Sequence, residues 1–324
     1  MLRSLTLYYR WWKTWGKLPV LSWMKAASFY RLKNYERAQQ FYKQGLRSNP
    51  DHPACNSARL DLAYCLFKLR RFDEAQEQLR IIISKSPSTK DPHLRLTKIQ
   101  MWIGHTLDAA WSARRAVQCA GPDPEMTALF LMNVLEHDGT SYLLQEALKQ
   151  AEEIESIKRE HPLLQAALAK LSIRKGEREQ GRKSLLQVCS QPNSPFEAHL
   201  ILAELLLEEG NIAQARQELK RAMTVVADHP RILSLFAETY LRSGPFYNPD
   251  YARQLATSAC QNSNWSSPRE LHILAESFYH VGDKISALVS ASKAKDAGNR
   301  VLGSYRDVKN LDKLIETLST GTQA

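Results

Sequence analysis

Six glycines recur along this chain at a nearly constant interval: Gly104, Gly139, Gly176, Gly210, Gly244 and Gly282. The gaps are 35, 37, 34, 34 and 38 residues. A fixed period of this size is the mark of a stacked helix-turn-helix repeat, because glycine is the residue that most easily reverses the chain after a helix. Two earlier turns carry Lys33 and Arg70 at the matching place, spaced 37 and 34 residues. A small residue follows each turn. Ala38, Ala75, Ala109, Gly181, Ala215 and Ala287 lie five residues on, and Ala147 and Ala252 lie eight on, after longer turns. A small side chain there lets two helices approach closely, and a larger one would overpack the pair by about 1–3 kcal/mol.

Proline marks the opposite junction. Pro50 and Pro53, Pro87, Pro122 and Pro124, Pro162, Pro192 and Pro195, Pro230, and Pro268 share one phase of the repeat. Proline cannot continue a helix and restricts the residue before it. Between these breaks the apolar residues keep helical spacing, as in Leu271, Leu274, Ala275 and Phe278. The sixth repeat has Leu202, Ala203 and Leu206 in register, but its first core place is the polar His199.

The segments 21–50, 60–87, 199–230 and 271–294 carry this pattern most clearly, and they resemble the tetratricopeptide repeat family. About eight repeats span residues 19–298, with the longer turns at 125–160 and 230–266 as departures. The resemblance implies an all-α, right-handed superhelical solenoid with a concave groove lined by the first helix of each pair. A helix near Tyr305–Leu318, within residues 299–318, is expected to cap the apolar end, as a solenoid requires. Residues 319–324 read as a disordered tail. If the groove follows the family geometry, its first half presents Tyr30, Arg31, Tyr64, Phe67, Lys68, Lys98, Met101 and Trp102. Lys170 and Arg174 follow, and the second half presents Glu204, Glu208, Glu238, Glu276, Tyr279 and His280. A groove that runs from basic and aromatic to acidic suits a peptide or helix of a partner protein with the opposite polarity. The same charges would also stand on a solvated rim. Where some family members clamp a C-terminal carboxylate with Lys and Asn, this chain has Ala27 and Tyr64, so a chaperone-tail adaptor is not expected.

The charge is lopsided. The net +10 divides into +13 over residues 1–120 and −3 over the rest, and Glu36 is the one acid among the first fifty residues. Such asymmetry points to an anionic surface at one end. On a helix, residues 1–18 gather Arg3, Arg10, Lys13 and Lys17 on one arc beside Trp11, Trp12, Trp15 and other apolar residues. Three readings fit this basic aromatic segment: a cap on the first repeat, a helix lying in a membrane interface, and a docking helix for a membrane-bound partner. Under the last two, Arg10, Trp11, Trp12, Lys13 and Trp15 make the contacts. Arg10 and Lys13 interrupt any signal-peptide core, and the segment is too short and charged to span a bilayer. Nucleic acid is the weaker partner for this surface, because no base-reading module is present.

The chemistry of catalysis is missing from the motifs. There is no Gly-rich phosphate loop, no CxxC and no HExxH. His272 and His280 are eight apart and lack the third and fourth ligands a metal needs. Glu152, Glu153 and Glu155 read as a solvated face. Five widely spaced cysteines, Cys55, Cys65, Cys119, Cys189 and Cys260, form no disulfide framework and suggest a reducing compartment. The expectation is a cytoplasmic, non-catalytic scaffold or assembly adaptor without cofactor or metal, peripheral on a membrane if its first helix meets lipid. A permanent structural subunit of a large complex is the alternative, and a nucleic-acid-associated adaptor the third.

Overall fold

The computed structural model describes residues 19–300 and 307–320, apart from 49, 122, 138–140, 155–157 and 159. The basic segment 1–18, with Arg10, Trp11, Trp12, Lys13 and Trp15, lies outside the described residues. Helices account for nearly all of the rest, and no strand occurs among the described residues. The first repeat pairs α1 (Pro19–Arg31) with α2 (Tyr35–Ser48). The second pairs α3 (Cys55–Lys68) with α4 (Phe72–Lys85), and α5 (Lys90–Trp102) and α6 (Thr106–Ala120) follow in chain order. Then come α7 (Pro124–Val134) with α8 (Ser141–Glu152), and α9 (Pro162–Arg174) with α10 (Arg178–Cys189). The last three repeats are α11 (Phe196–Glu208) with α12 (Ile212–Val225), α13 (Pro230–Leu241) with α14 (Pro249–Asn262), and α15 (Pro268–Val281) with α16 (Lys284–Arg300). A single helix, α17 (Val308–Thr320), ends the array. Ser319 and Thr320, read from sequence as tail, form its last turn.

The turn chemistry explains the period. Gly104, Gly176, Gly210, Gly244 and Gly282 all take positive φ, and so do Lys33 at 57° and Arg70 at 59°. At these seven turns a residue with positive φ follows the first helix and helps turn the chain back. The two non-glycine residues adopt the same backbone at some steric cost, which is why the glycine series starts only at the third repeat. Ala38, Ala75, Ala109, Ala147, Ala215, Ala252 and Ala287 are fully buried. At Gly181 a Cβ would lie 2.6 Å from Ile173 Cγ1 and 2.8 Å from the Ala169 carbonyl oxygen. These positions are the helix–helix contacts within each pair. Proline opens α7, α9, α13, α14 and α15, where its missing N–H costs nothing.

The chain divides into two compact units, residues 1–99 and 100–324, and the division falls inside α5. In the first unit, α2 and α4 bury Ala38, Tyr42, Leu46, Ala75, Leu79 and Ile82 against their partner helices. In the second unit, α17 sets Leu311, Leu314 and Ile315 on the apolar end formed by α13–α16, around Leu271, Leu274, Ala291 and Ala294. The end of the array is thus covered by apolar contact, at about 25 cal/mol per Å2 of apolar surface removed from water.

Candidate partner-binding site

In the first unit the groove residues read from sequence form an aromatic cluster. The Tyr30, Tyr35 and Tyr64 rings meet with centroids 5.4–6.0 Å apart. Phe67 stands edge-on to Phe72 at 5.7 Å. The Lys68 ammonium lies 5.5 Å from the Tyr64 ring and 5.8 Å from Phe67, so its charge rests on the faces of the rings. Burial raises the Tyr30 phenol above its ordinary range, and the neighbouring Tyr64 adds to it. Arg31, Lys68 and Lys98 are exposed. The face is therefore aromatic with a basic fringe.

The second unit is organised by a ladder of charge along its first helices. Glu136, Lys170, Glu204 and Glu238 stand 34 residues apart, one repeat each. Lys170 pairs with Glu136 in a short contact. Arg231 donates from Nε at 2.9 Å and Nη2 at 2.7 Å to one oxygen of Glu204. Arg269 donates to Glu136 at 2.9 Å across 133 residues of sequence. Burial alone would raise the Glu136 carboxyl, but the Arg269 and Lys170 charges overcome it and hold it well below the usual carboxylate range. At Glu204 burial is again outweighed, by Arg231 and Arg269. Burial pushes the Glu270 carboxyl up, and it pushes His229 down to about 3, so that imidazole is neutral.

Other contacts close the second unit on itself. The Trp102 indole N–H donates to the Asn262 carbonyl at 3.0 Å, and Ser266 Oγ donates to the Ile103 carbonyl at 2.9 Å. Trp102 also meets the His229 ring edge-on at 4.8 Å. A cavity of about 150 Å3 remains inside, lined by Met101, Glu136, Phe196, His229, Arg231 and Arg269 among others. Trp102, Lys170 and Glu204, which sequence places in the groove, are engaged in this closure. Arg174 and Glu208 line a second space, also bounded by Lys170 and Glu204, where Arg178 pairs with Glu208.

Glu204, Glu208, Glu238, Glu276, Tyr279 and His280 are brought together. All six line one open cleft of about 530 Å3, with Asp307 and Leu314 contributed from the α17 end. Glu238 pairs with Arg242. Among the described residues, no Lys or Arg forms an ion pair with Glu276 or Asp307. Burial, then the charges of Glu238 and Asp307, push the Glu276 carboxyl up to about 7. His272 stands 3.6 Å from Glu276, but burial holds its imidazole below the ordinary value, so it supplies little positive charge. Tyr247 and His280 flank the mouth, with Oη 3.3 Å from Nδ1. Five carboxylates, Glu204, Glu208, Glu238, Glu276 and Asp307, thus line the cleft against three guanidiniums, Arg231, Arg242 and Arg269, beside aromatic surface.

Sequence reasoning passes over Glu136, Arg231, Arg269 and Glu270. One signal was present: Arg231 and Arg269 each follow the proline that opens a first helix, in Pro230-Arg231 and Pro268-Arg269.

The profile of the tetratricopeptide repeat family matches residues 29–99. Residues 29–99 thus carry tetratricopeptide repeats. No curated protein matches its sequence. Among solved structures it is similar to a tetratricopeptide repeat protein from Parabacteroides merdae, at 12% identity and a TM-score of 0.53, covering 93% of this chain and 98% of that one. It is also similar to a structure of the APC/C hetero-tetramer Cut9–Hcn1, at 12% identity and 0.52, covering 94% and 70%. A third is a monomeric mutant of IFIT1 solved with Gppp-AAAA, at 14% identity and 0.51, covering 86% and 69%. At these identities the likeness is one of fold. Stacked helical repeats of this fold commonly serve as protein-interaction surfaces. No described helix is long and apolar enough to cross a membrane.

Proposed function

We propose that this protein is a non-catalytic scaffold that holds a basic segment of a partner protein in the acidic cleft of its last three repeats. The observation that carries the reading is the excess of carboxylates, with Glu276 and Asp307 beside Glu238, in an open cleft of about 530 Å3. A lysine or arginine side chain inserted there relieves like-charge repulsion that the free protein bears. Tyr279, exposed at the mouth, offers a ring face to the same cation. One structural neighbour is part of a hetero-tetramer, so a protein partner accords with the fold. The Gppp-AAAA of another neighbour carries phosphates, which the acidic majority of this cleft disfavours.

The test is fluorescence anisotropy with labelled peptides, one rich in lysine and arginine and one rich in glutamate, on the full chain. Preferential binding of the basic peptide, lost on Glu276→Lys with Asp307→Lys, is expected. Equal binding of both peptides, or binding untouched by the reversal, would refute the reading. The aromatic and basic face around Tyr30, Arg31, Tyr64, Phe67, Lys68 and Lys98 is proposed as a second contact for an acidic part of the partner, to be tested by Lys68→Glu with Lys98→Glu. Docking of residues 1–18 to an anionic membrane is proposed on the charge asymmetry of the chain. Sedimentation with anionic vesicles, comparing the full chain with one beginning at Pro19, tests it, and equal sedimentation of the two removes the idea.

A further inference from the structure

His199 occupies a place that the repeat pattern reserves for an apolar residue, and the structure shows what surrounds it. Its Nδ1 lies 2.7 Å from Glu218 Oε2, and its Nε2 lies 2.7 Å from Ser194 Oγ. The Cys189 sulfur joins them: one donor atom from each of Cys189, His199 and Glu218 lies within 4.8 Å of the others. All three residues are buried. They come from three helices of two successive repeats, the end of α10, the first turn of α11 and the middle of α12. Among the described residues, no other three such donors are gathered in this way.

We propose that Cys189, His199 and Glu218 form a divalent metal site, of the borderline-soft kind that Zn2+ fills, which clamps the fifth repeat to the sixth. Thiolate, imidazole and carboxylate are the three donor types of protein zinc sites, with bonds of about 2.0–2.3 Å. Tetrahedral bonds of that length set donors about 3.5 Å apart, so the present spacing needs separations to change by at most about 1.3 Å. The groups behind the donors are those a metal requires. Ser194 Oγ can accept the Nε2–H proton, which fixes the tautomer with the Nδ1 lone pair turned to the cluster. Arg221 Nη1 donates at 2.8 Å to the other oxygen of Glu218, which leaves Oε2 for the ion. A water completes the fourth position. Arg221 is itself 59% exposed, so the cluster lies just beneath the surface and an ion has a path in.

The balance is simple. In the metal-free chain the His199 ring donates Nδ1–H to Glu218 and accepts from the Ser194 hydroxyl. On binding, the ring proton moves to Nε2 and the lone pair of Nδ1 forms the bond to the ion. The Cys189 S–H gives its proton to solvent and the sulfur lone pair binds. The site changes from one carboxylate to a carboxylate and a thiolate around a dication, which neutralises it. Because the thiol must lose its proton to bind, affinity should rise with pH.

The experiment is a Co2+ titration of the untagged, chelator-treated full chain. A thiolate-to-cobalt charge-transfer band saturating at one equivalent, and bleached by Zn2+, is expected. Cys189→Ser should abolish the band, and His199→Gln and Glu218→Gln should each weaken binding about 10–100-fold. Circular dichroism of the metal-free variants checks their fold. Zn2+ should raise the wild-type melting temperature and leave that of Cys189→Ser unchanged. Absence of the band in the wild type overturns the proposal whatever the variants do. A band that survives Cys189→Ser assigns the thiolate to another cysteine and also overturns it.

Discussion

Replacing Glu276 by glutamine separates the stability of this protein from its proposed use. The Glu276 carboxyl is raised from 4.5 to about 7. A raised carboxyl favours the folded state fully below the unfolded value, and that contribution is lost as pH rises through the folded value. Between those limits the folded chain is progressively penalised, because the charged form is favoured more in the unfolded chain. A shift of about 2.5 units corresponds to about 3 kcal/mol in full. The side chain is 36% exposed, so water screens much of that, and about 1 kcal/mol is the reasonable share. Glu276→Gln should therefore stabilise the protein by about 1 kcal/mol at about pH 8 and by almost nothing at about pH 4. For a unit of this size that is a rise in Tm of about 2–4 °C. The assay is urea unfolding followed by circular dichroism across that range. The same variant should lose about tenfold in affinity for a lysine-rich peptide, since the excess carboxylate charge is what the peptide neutralises. In the wild type that affinity should climb as pH passes about 7, as the carboxyl ionises. A variant less stable than wild type at high pH, or a stability difference that does not depend on pH, would refute the assigned electrostatics.

Glu136→Gln leaves Lys170 and Arg269 without their shared carboxylate, and urea unfolding should show a loss of about 3 kcal/mol. Because the Glu136 carboxyl is held low, its contribution is present above the unfolded value and lost as pH falls through the folded one, so the variant should show a shallower acid transition. Gly181→Ala drives a methyl into Ile173 and the Ala169 carbonyl and should cost about 1–3 kcal/mol in the same assay. Arg216 spans the faces of Phe236, Tyr240 and Phe246 at 4.2–5.0 Å and donates to Thr239 and Tyr240, so Arg216→Lys should cost about 1–2 kcal/mol, and a silent substitution would discount the stack.

What the sequence disclosed and what it hid follow from the range of the forces involved. Turn backbone and close helix contact are local, so Gly210 with Ala215 announces a repeat without reference to the rest of the chain, and Lys33 and Arg70 can be placed by counting. The acidic face of the last repeats was equally legible, because Glu204, Glu238 and Glu276 recur at a phase set by the same local geometry. The Arg269–Glu136 pair was not. It depends on how far the array rotates over four repeats, and that rotation accumulates from small tilts at every helix contact. The result is that Trp102 and Lys170, which local phase assigns to an open groove, are spent on closing the second unit, while Glu204 pairs with Arg231 and also lines the open cleft that α17 joins. The same distinction explains His199. Pattern alone marks it as an error in an apolar register, yet its partners Ser194, Cys189 and Glu218 come from a turn and two other helices, at spacings no local motif contains. A polar residue breaking an otherwise strict repeat register is therefore the place where long-range chemistry should be sought first.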